Sequence, residues 1–512
     1  MNSIKLKVEK IYIMIMKRSV FLSFILLGML VIPFTLKAQE NQTLYYMGLP
    51  QSKLMNPALQ SSYGFYLGLP GVSSVYFNYS NNSFSFDDFI FKGTGEFADS
   101  LITILHPSYD IDDFLDKLPG RLYISPEAHV QLFALGFRSG ETYFTFDITE
   151  KANFFLSLPK DLMTLAFHGN SAFVGGTADF TDFTFDMTYY REYGITLSKK
   201  FNNRLTFGAK GKLLFGKANL SLKNADLGIT IDEGNAFTHT LHSDISLNVS
   251  APITVITDSE GFVDSIRIKE VMDTDEGIID FILNSGNMGA AVDLGAVYNI
   301  SDYFTLSASI VDLGFINWKQ DVYNFVSKGT YNFEGIDASP EFDVNDNRDL
   351  GDVAEAMLDS IADIFMPLTQ EEAYKTMLPA KVYLGGTFNV SEKLNLGFLS
   401  RSQIYKGKIQ QAFTISANTN LGNALITSVS YTMSNNSYNN LGVGLSFRGG
   451  PFQFYFISDH IPVTFNKMQF KDNGNVTSFP FPADLKRINI RFGLNIVFGC
   501  NPKRFKDKPL LQ

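Results

Sequence analysis

Lys486–Phe498 reads KRINIRFGLNIVF, and its side chains sort by position into two sets. Ile488, Ile490, Phe492, Leu494, Ile496 and Phe498 fall on one face of an extended chain; Asn489, Arg491, Gly493, Asn495 and Val497 fall on the other. Successive side chains of a strand point to opposite faces, so this stretch predicts a strand with one apolar face and one mostly polar face. The pattern recurs upstream. Leu205, Phe207 and Ala209 oppose Thr206, Gly208, Lys210 and Lys212. Phe304, Leu306, Ala308 and Ile310 oppose Thr305, Ser307 and Ser309, while Leu441, Val443, Leu445 and Phe447 oppose Gly442, Gly444, Ser446 and Arg448.

The connections between such stretches alternate in length. Short ones fall at Asn202-Asn203, Asp232–Asn235, Ser301-Asp302, Ser391-Glu392, Asn420–Asn423 and Gly449-Gly450. Long ones fall between, at about 250–288, 314–379 and 459–485, with shorter members near Gly216, 403–408 and 434–437. A closed up-and-down barrel in an outer membrane has this asymmetry, with tight turns on the periplasmic side and long loops outside. A soluble β-sandwich or lipocalin-like barrel also alternates, so strand number and targeting decide between them. Counting His129–Arg138 and Thr142–Thr149 gives about 15 candidate strands, and single-chain bacterial barrels have even numbers. The expected fold is therefore all-β: a transmembrane antiparallel up-and-down barrel over 128–499, with a tail at 500–512. About 14 strands are expected, with His129–Arg138 folded inward or misread; about 16 is the alternative.

Residues 1–38 read as a cleaved signal peptide. Lys17-Arg18 is a charged start, Ser19–Val31 is largely apolar, and Pro33–Ala38 offers a small residue before Gln39. Met14 or Met16 is a better start than Met1 by this criterion. The apolar run is shorter than the ~20 residues a spanning helix needs, and no later stretch approaches that length. An outer-membrane location of Gram-negative type follows, with the membrane crossed by strands.

The chain carries 52 Asp and Glu against 42 Lys and Arg, a net charge of −10, and loses mostly cations with residues 1–38. Nucleic acid, whose phosphates need a basic surface, is excluded as a partner. With 48 Phe and 23 Tyr against one Trp, the aromatic content suits a lipid-facing wall and interfacial girdles. Cys500 is the only cysteine, so no intramolecular disulfide holds the fold, and it reads as an unpaired thiol.

Residues 39–127 lack long alternating stretches. Turns dominate instead: Leu49-Pro50, Asn56-Pro57-Ala58, Leu69-Pro70-Gly71 and Asn81-Asn82, with short helices expected at Ser100–Leu105 and Ile111–Leu118. A barrel of about 14 strands encloses more space than its own side chains fill, so this segment is expected to be a plug. Pro57 fixes its own φ and lacks a donor, Asn56 can cap a turn and Ala58 permits close packing, which makes these three the plug's candidate docking element. Lys210, Lys212 and Arg491 are expected to face the lumen, because a cation facing lipid near the midplane would cost ~2–4 kcal/mol.

Leu54-Met55-Asn56-Pro57-Ala58, followed by a barrel of this length, resembles the FadL-type long-chain fatty-acid transporter superfamily. Members carry an Asn-Pro-Ala element in an N-terminal hatch that plugs a 14-stranded barrel. More closely, Leu44–Pro50, Asn56–Ala58, Phe65-Tyr66-Leu67-Gly68 and Asn81-Asn82-Ser83 are similar to a Bacteroidota family of uncharacterised outer-membrane proteins. The FadL resemblance implies transport of a hydrophobic or amphipathic small molecule. PorV-like barrels of type IX secretion share the architecture, and they imply the alternative, an adaptor in an outer-membrane protein complex. The partners implied are outer-membrane lipids together with a hydrophobic ligand or other outer-membrane and secretion proteins.

Catalytic signatures were sought among the remaining residues. His239 and His242, three apart in an expected strand, point to opposite faces and cannot share a metal. No nucleophile elbow, P-loop or dinucleotide fingerprint occurs. Asp343, Asn345 and Asn347 begin like a calcium loop, but Arg348 stands at the glycine place and Ala354 at that of the bidentate Glu. No cofactor and no catalytic role are expected, with an enzyme assembled from scattered strands as the remote alternative. Asp349–Phe365, inside the 314–379 loop, reads as an amphipathic helix through Val353, Met357, Ile361, Ile364 and Phe365.

Overall fold

The alternating stretches pair in sequence order and close on themselves. The computed structural model describes residues 42–500, apart from 235–237, 334–367, 406–407, 422–423, 435–436, 462–464, 473–474, 483–485 and parts of 86–108 and 258–262. It is a closed 14-strand antiparallel barrel. The first stave consists of two pieces, Tyr63–Gly68 and Val75–Asn81. Both lie between the second stave, Arg121–Ser139, and the last, Arg487–Cys500, and so complete the ring. Staves three to five are Thr142–Pro159, Thr184–Lys200 and Leu205–Ile231. The sixth is Asn287–Asn299 with His239–Ser250 above it, and the seventh Phe304–Trp318 with Val322–Phe333 above it. Staves eight to thirteen are Ala380–Asn389, Leu394–Tyr405, Lys408–Leu421, Leu425–Ser434, Ser437–Gly449 and Phe452–Ser458.

Three expectations are corrected by this register. The wall begins at Tyr63 rather than at 128, so only the start of the 39–127 segment is free to plug it. Its first stave escaped notice because Leu69–Ser74 breaks it into pieces too short to show alternation. Pro70 has no amide to give, and Gly71 takes φ +74°, a left-handed value that favours glycine. The neighbours still bond across the break, Leu494 N–H to the Val72 carbonyl at 2.9 Å and Gly71 N–H to the Leu132 carbonyl at 3.2 Å. Second, His129–Arg138 is wall, paired with the first and third staves, not folded inward. Third, no turn occurs near Gly216. Leu205–Ile231 runs through it as one strand of 27 residues. Gly216 is needed there because the Trp318 ring lies where its side chain would be. Asp232 consequently lies at the far end of a tall strand, not with the other short turns.

Those other turns are set by local chemistry. The Asn202 carboxamide oxygen accepts from the amides of Arg204 and Leu205 at 2.8 and 2.9 Å. The hydroxyls of Ser301 and Ser391 accept the corresponding amides two and three residues on. Such local acceptors are why Asn and Ser terminate strands.

Outside, the wall exposes Ile195, Leu197, Phe207, Leu294, Leu306, Leu384, Phe398, Ile415, Val429 and Phe454 in one band. In a barrel, that band is the face that meets lipid. No helix among the described residues is long and apolar enough to cross a membrane.

Candidate functional site in the lumen

The plug runs from Gln42 to Gln60 across the inside of the wall, with 3-10 turns at Gln42–Tyr46 and Pro50–Leu54. Leu44, Tyr45, Met47, Leu49 and Met55 form its apolar core with Val311, Tyr383, Leu399, Tyr455 and Ile457 of the wall. At its start, Gln42 and Thr43 hand their amide protons to Asp459, the residue that follows stave thirteen, and the Thr43 hydroxyl also bonds that carboxylate. Thr414 donates to the Gln42 carboxamide oxygen at 2.7 Å, and the Thr43 and Ser430 hydroxyls lie 2.6 Å apart. At its end, the Gln60 amide nitrogen donates to the Ser198 carbonyl at 3.0 Å.

Asn56, Pro57 and Ala58 lie between these ends, against staves four to seven. The Asn56 carboxamide oxygen accepts the Ala58 amide at 2.9 Å, closing a tight turn, and its nitrogen donates to the Tyr45 hydroxyl at 2.9 Å and the Ala308 carbonyl at 3.3 Å. Ser309 donates to the Met55 carbonyl at 2.7 Å. Gly208 and Gly295 permit this approach: a side chain on Gly208 would overlap the Pro57 backbone, and one on Gly295 would overlap the Asn56 side chain.

Beside the plug lies a network of ion pairs. Lys53, carried on the turn Pro50–Leu54, sits 3.2 Å from Asp147 and donates to the Tyr66 hydroxyl at 2.6 Å. Lys210 bonds Asp147 at 2.8 Å and Glu192 at 2.6 Å, and Lys151 meets Glu192 at 2.7 Å. Lys212 meets Asp293 at 2.7 Å and Asp312 at 2.5 Å, and Lys381 meets Asp312 at 3.1 Å. Staves three to eight and the plug thus each contribute. Arg491 stands apart, 4.4 Å from the Tyr76 ring centroid and donating to the Ser74 hydroxyl at 3.0 Å. Lys210, Lys212 and Arg491 all point into the lumen.

The sequence reading did not find Lys53, Asp147, Glu192, Asp293 or Asp312. The wall carboxylates were visible in principle as acidic residues on polar faces of alternating stretches. Asp312 was hidden, because it takes φ 60° at a bulge where the register with Asn287–Asn299 shifts, so its parity no longer follows that of Phe304–Ile310.

Above the network, Tyr190, Leu214, Ile316, Trp318, Tyr374 and Leu378 pack into an apolar cap, with the Trp318 indole donating to Thr376 at 2.8 Å. Between plug and network remains a cavity of about 40 Å³, lined by Met55, Gln131, Thr149, Lys151, Lys212 and Arg491 among others. That is room for a few waters. Elsewhere, His239 faces Asn170 at 2.6 Å and His242 lies 3.8 Å from Asp226. The calcium-like residues Asp343, Asn345 and Asn347 and the helix expected at Asp349–Phe365 lie outside the described residues.

These features define a class: an antiparallel barrel with an apolar outer band and its own N-terminal segment packed inside the lumen. The chain belongs to the family of unknown function DUF5723, whose model matches residues 57–459. No curated protein sequence matches it. Among solved structures, it is similar to the toluene transporter TbuX of Ralstonia pickettii at 10% identity, covering 88% of this chain and 94% of that one with a TM-score of 0.39. It is also similar to the toluene transporter TodX of Pseudomonas putida, at 10% identity over 91% and 99% with a TM-score of 0.40. A FadL homologue of Pseudomonas aeruginosa gives 10% identity over 90% and 96%, with a TM-score of 0.37.

Proposed function

We propose that the protein is an outer-membrane channel for a hydrophobic or amphipathic small molecule, exported with residues 1–38 as its leader, and that the form described is the closed one. Cargo binds in the lumen and passes when the N-terminal segment shifts. The observation that supports this is the ion-pair network beside the plug. Taking charges out of water is costly, and a permanently filled lumen is at least as stable when apolar residues replace buried ion pairs. Retaining five lysines and four carboxylates where plug meets wall suits a lumen that is hydrated in a second state. Lys53 is the plug's own member of the network, and so the natural point of release.

The sealed lumen supports a second reading, a non-transporting adaptor whose loops dock other outer-membrane or secretion proteins. Conductance of the purified barrel in planar bilayers separates the two. The channel reading expects the Lys53→Ala variant, and more strongly a variant lacking residues 42–60, to conduct far more than the parent protein. If both variants fold and conduct no better than the parent, the channel reading fails. Purification from native membranes then tests the adaptor reading by asking whether protein, rather than a lipid-like molecule, accompanies the barrel.

A further inference from the structure

The sixth stave is interrupted. His239–Ser250 ends opposite Asn219, Asn287–Asn299 begins opposite Gly216, and residues 251–286 leave the wall between them. This insertion holds a hairpin, Ile253–Thr257 with Val263–Ile268, and the helix Asp275–Leu283, capped by the Thr274 hydroxyl on the Gly277 amide at 3.1 Å.

The level at which it leaves is defined by the wall itself. Leu213 and Met288 are the uppermost exposed apolar residues of the band on these two staves. Just above them, the outward face of the wall becomes charged, with Arg191 paired to Glu150 at 2.5 Å and Lys217 donating to the Asn284 carbonyl. Glu150, Arg191 and Lys217 thus place charged groups, Arg191 and Lys217 buried, beside the top of the exposed band, and the Lys217–Asn284 bond ties the end of the helix to them.

Helix positions four apart share a face, which gives this helix three sides. Gly277 is buried, and Phe281 meets the outward-facing Tyr189 with ring centroids 6.3 Å apart, so that side lies on the wall. Glu276 and Asp280 form a polar side. The third side carries Ile278, Ile279 and Leu283, at 42%, 53% and 63% exposure, with the half-buried Ile282 beside them. The hairpin repeats the arrangement independently: Ile253 pairs with Ile268 and Val255 with Ile266, placing four apolar residues on one face, with Ile266 and Ile268 exposed. The Ile253 carbonyl accepts from the Tyr323 hydroxyl at 3.1 Å, which holds the hairpin's base against the upper seventh stave at the same height.

We propose that the insertion 251–286 is a lipid-seated ledge: the helix lies outside the wall at the boundary between acyl chains and headgroups, with Ile278, Ile279 and Leu283 in the lipid. Two observations on the wall favour lipid over a protein partner. Asn284, at the helix end, is tied to Lys217, four residues along the stave from the exposed Leu213, and Phe281 meets Tyr189 two residues from Arg191, so the exposed apolar side borders the band where charged groups begin. A helix with an apolar arc and an acidic edge is stable at such an interface, where each side meets a matching medium. The ledge stands on staves four to seven.

The inference rests on the outer-membrane reading, and one experiment tests both separately. Single spin labels are placed by Ile279→Cys, Leu283→Cys and Ile268→Cys in a Cys500→Ser background, with Phe398→Cys as a mid-band reference and Asp280→Cys as a polar-side reference. The full chain is reconstituted in dioleoylphosphatidylcholine vesicles, and accessibility to oxygen and to a water-soluble nickel chelate is measured. The expected result groups 279 and 283 with 398, with oxygen-to-nickel ratios several-fold above that at 280. Nickel access at 279 and 283 with 398 still lipid-like overturns the ledge. Immobile labels that neither reagent reaches overturn it too, in favour of a protein covering this face. Nickel access at 398 as well overturns the membrane reading itself.

Discussion

The two sides of the lumen hold the same plug by different means. Staves nine to thirteen meet it with hydroxyls, carbonyls and apolar surface, and with one carboxyl, Asp459, that has no cation of the plug beside it: Thr414 and Ser430 on Gln42 and Thr43, the Phe398 carbonyl on the Tyr46 hydroxyl, Leu399 and Ile457 on its apolar core. Staves three to eight meet it beside nine charged side chains, with Lys53 inserted next to Asp147. A neutral contact gives up little when it opens, because water replaces each bond at small cost. An ionic contact between buried groups is different, since either partner left alone is a buried charge. The ionic side is therefore the side on which a single change should cost most, and the other side holds the plug through neutral bonds and the one Asp459 carboxyl.

The largest expected effect tests that contrast directly. Asp147→Ala leaves Lys53 and Lys210 facing each other without their shared counter-charge, and should destabilise the closed barrel by about 3–5 kcal/mol. Thr414→Ala, which removes the neutral bond to Gln42 on the other side, should cost only about 1 kcal/mol. Urea unfolding of both proteins in detergent measures the difference; equal losses would remove the distinction between the sides.

A second test works through shape. Gly295→Val places a side chain where Asn56 lies, and should displace the Asn56–Ala58 turn at a cost of about 1–3 kcal/mol. Gly216→Val presses instead on Trp318, in the cap above the network. Only the first variant should raise conductance. If Gly216→Val does so and Gly295→Val does not, the cap and not the plug closes the lumen.

The sequence revealed the wall and its contents unequally. Staves such as Leu205–Ala209 or Arg487–Phe498 declare themselves because one face meets an apolar medium along its whole length, which imposes a period of two on the residues. The same logic placed Lys210, Lys212 and Arg491 on the lumen side. The first stave, split at Pro70-Gly71, and the strand running through Gly216 were misread because the local signal of a turn residue is the same whether it ends a strand, bulges it or makes room for a ring. The network was hidden for a different reason. Lys53 lies in a segment without periodicity, and its pairing with Asp147 depends on the chain folding back into a closed ring, a relation between distant residues that no local pattern records.

The smallest expected effect concerns pH, and it comes from the side of staves nine to thirteen. The Asp459 carboxyl is fully buried where Gln42 and Thr43 cover it, and burial raises its pKa to about 6. The three donors from Gln42 and Thr43, and Arg491 nearby, favour the ionised form but do not outweigh the loss of water. With the plug docked, the group holds its proton to a higher pH than it does when water reaches it, so docking takes up a proton between the two values. The docked state is thus favoured at low pH, and that contribution is lost as pH rises through about 6. Conductance in planar bilayers should accordingly rise a few-fold between pH 5 and pH 8, with its midpoint near the raised pKa. The Asp459→Asn variant carries a permanently neutral group of the same shape and should remain at the low-pH level throughout. A parent protein whose conductance falls with rising pH, or an Asp459→Asn variant that keeps the full response, would place the titrating group elsewhere and leave staves nine to thirteen without a part in opening.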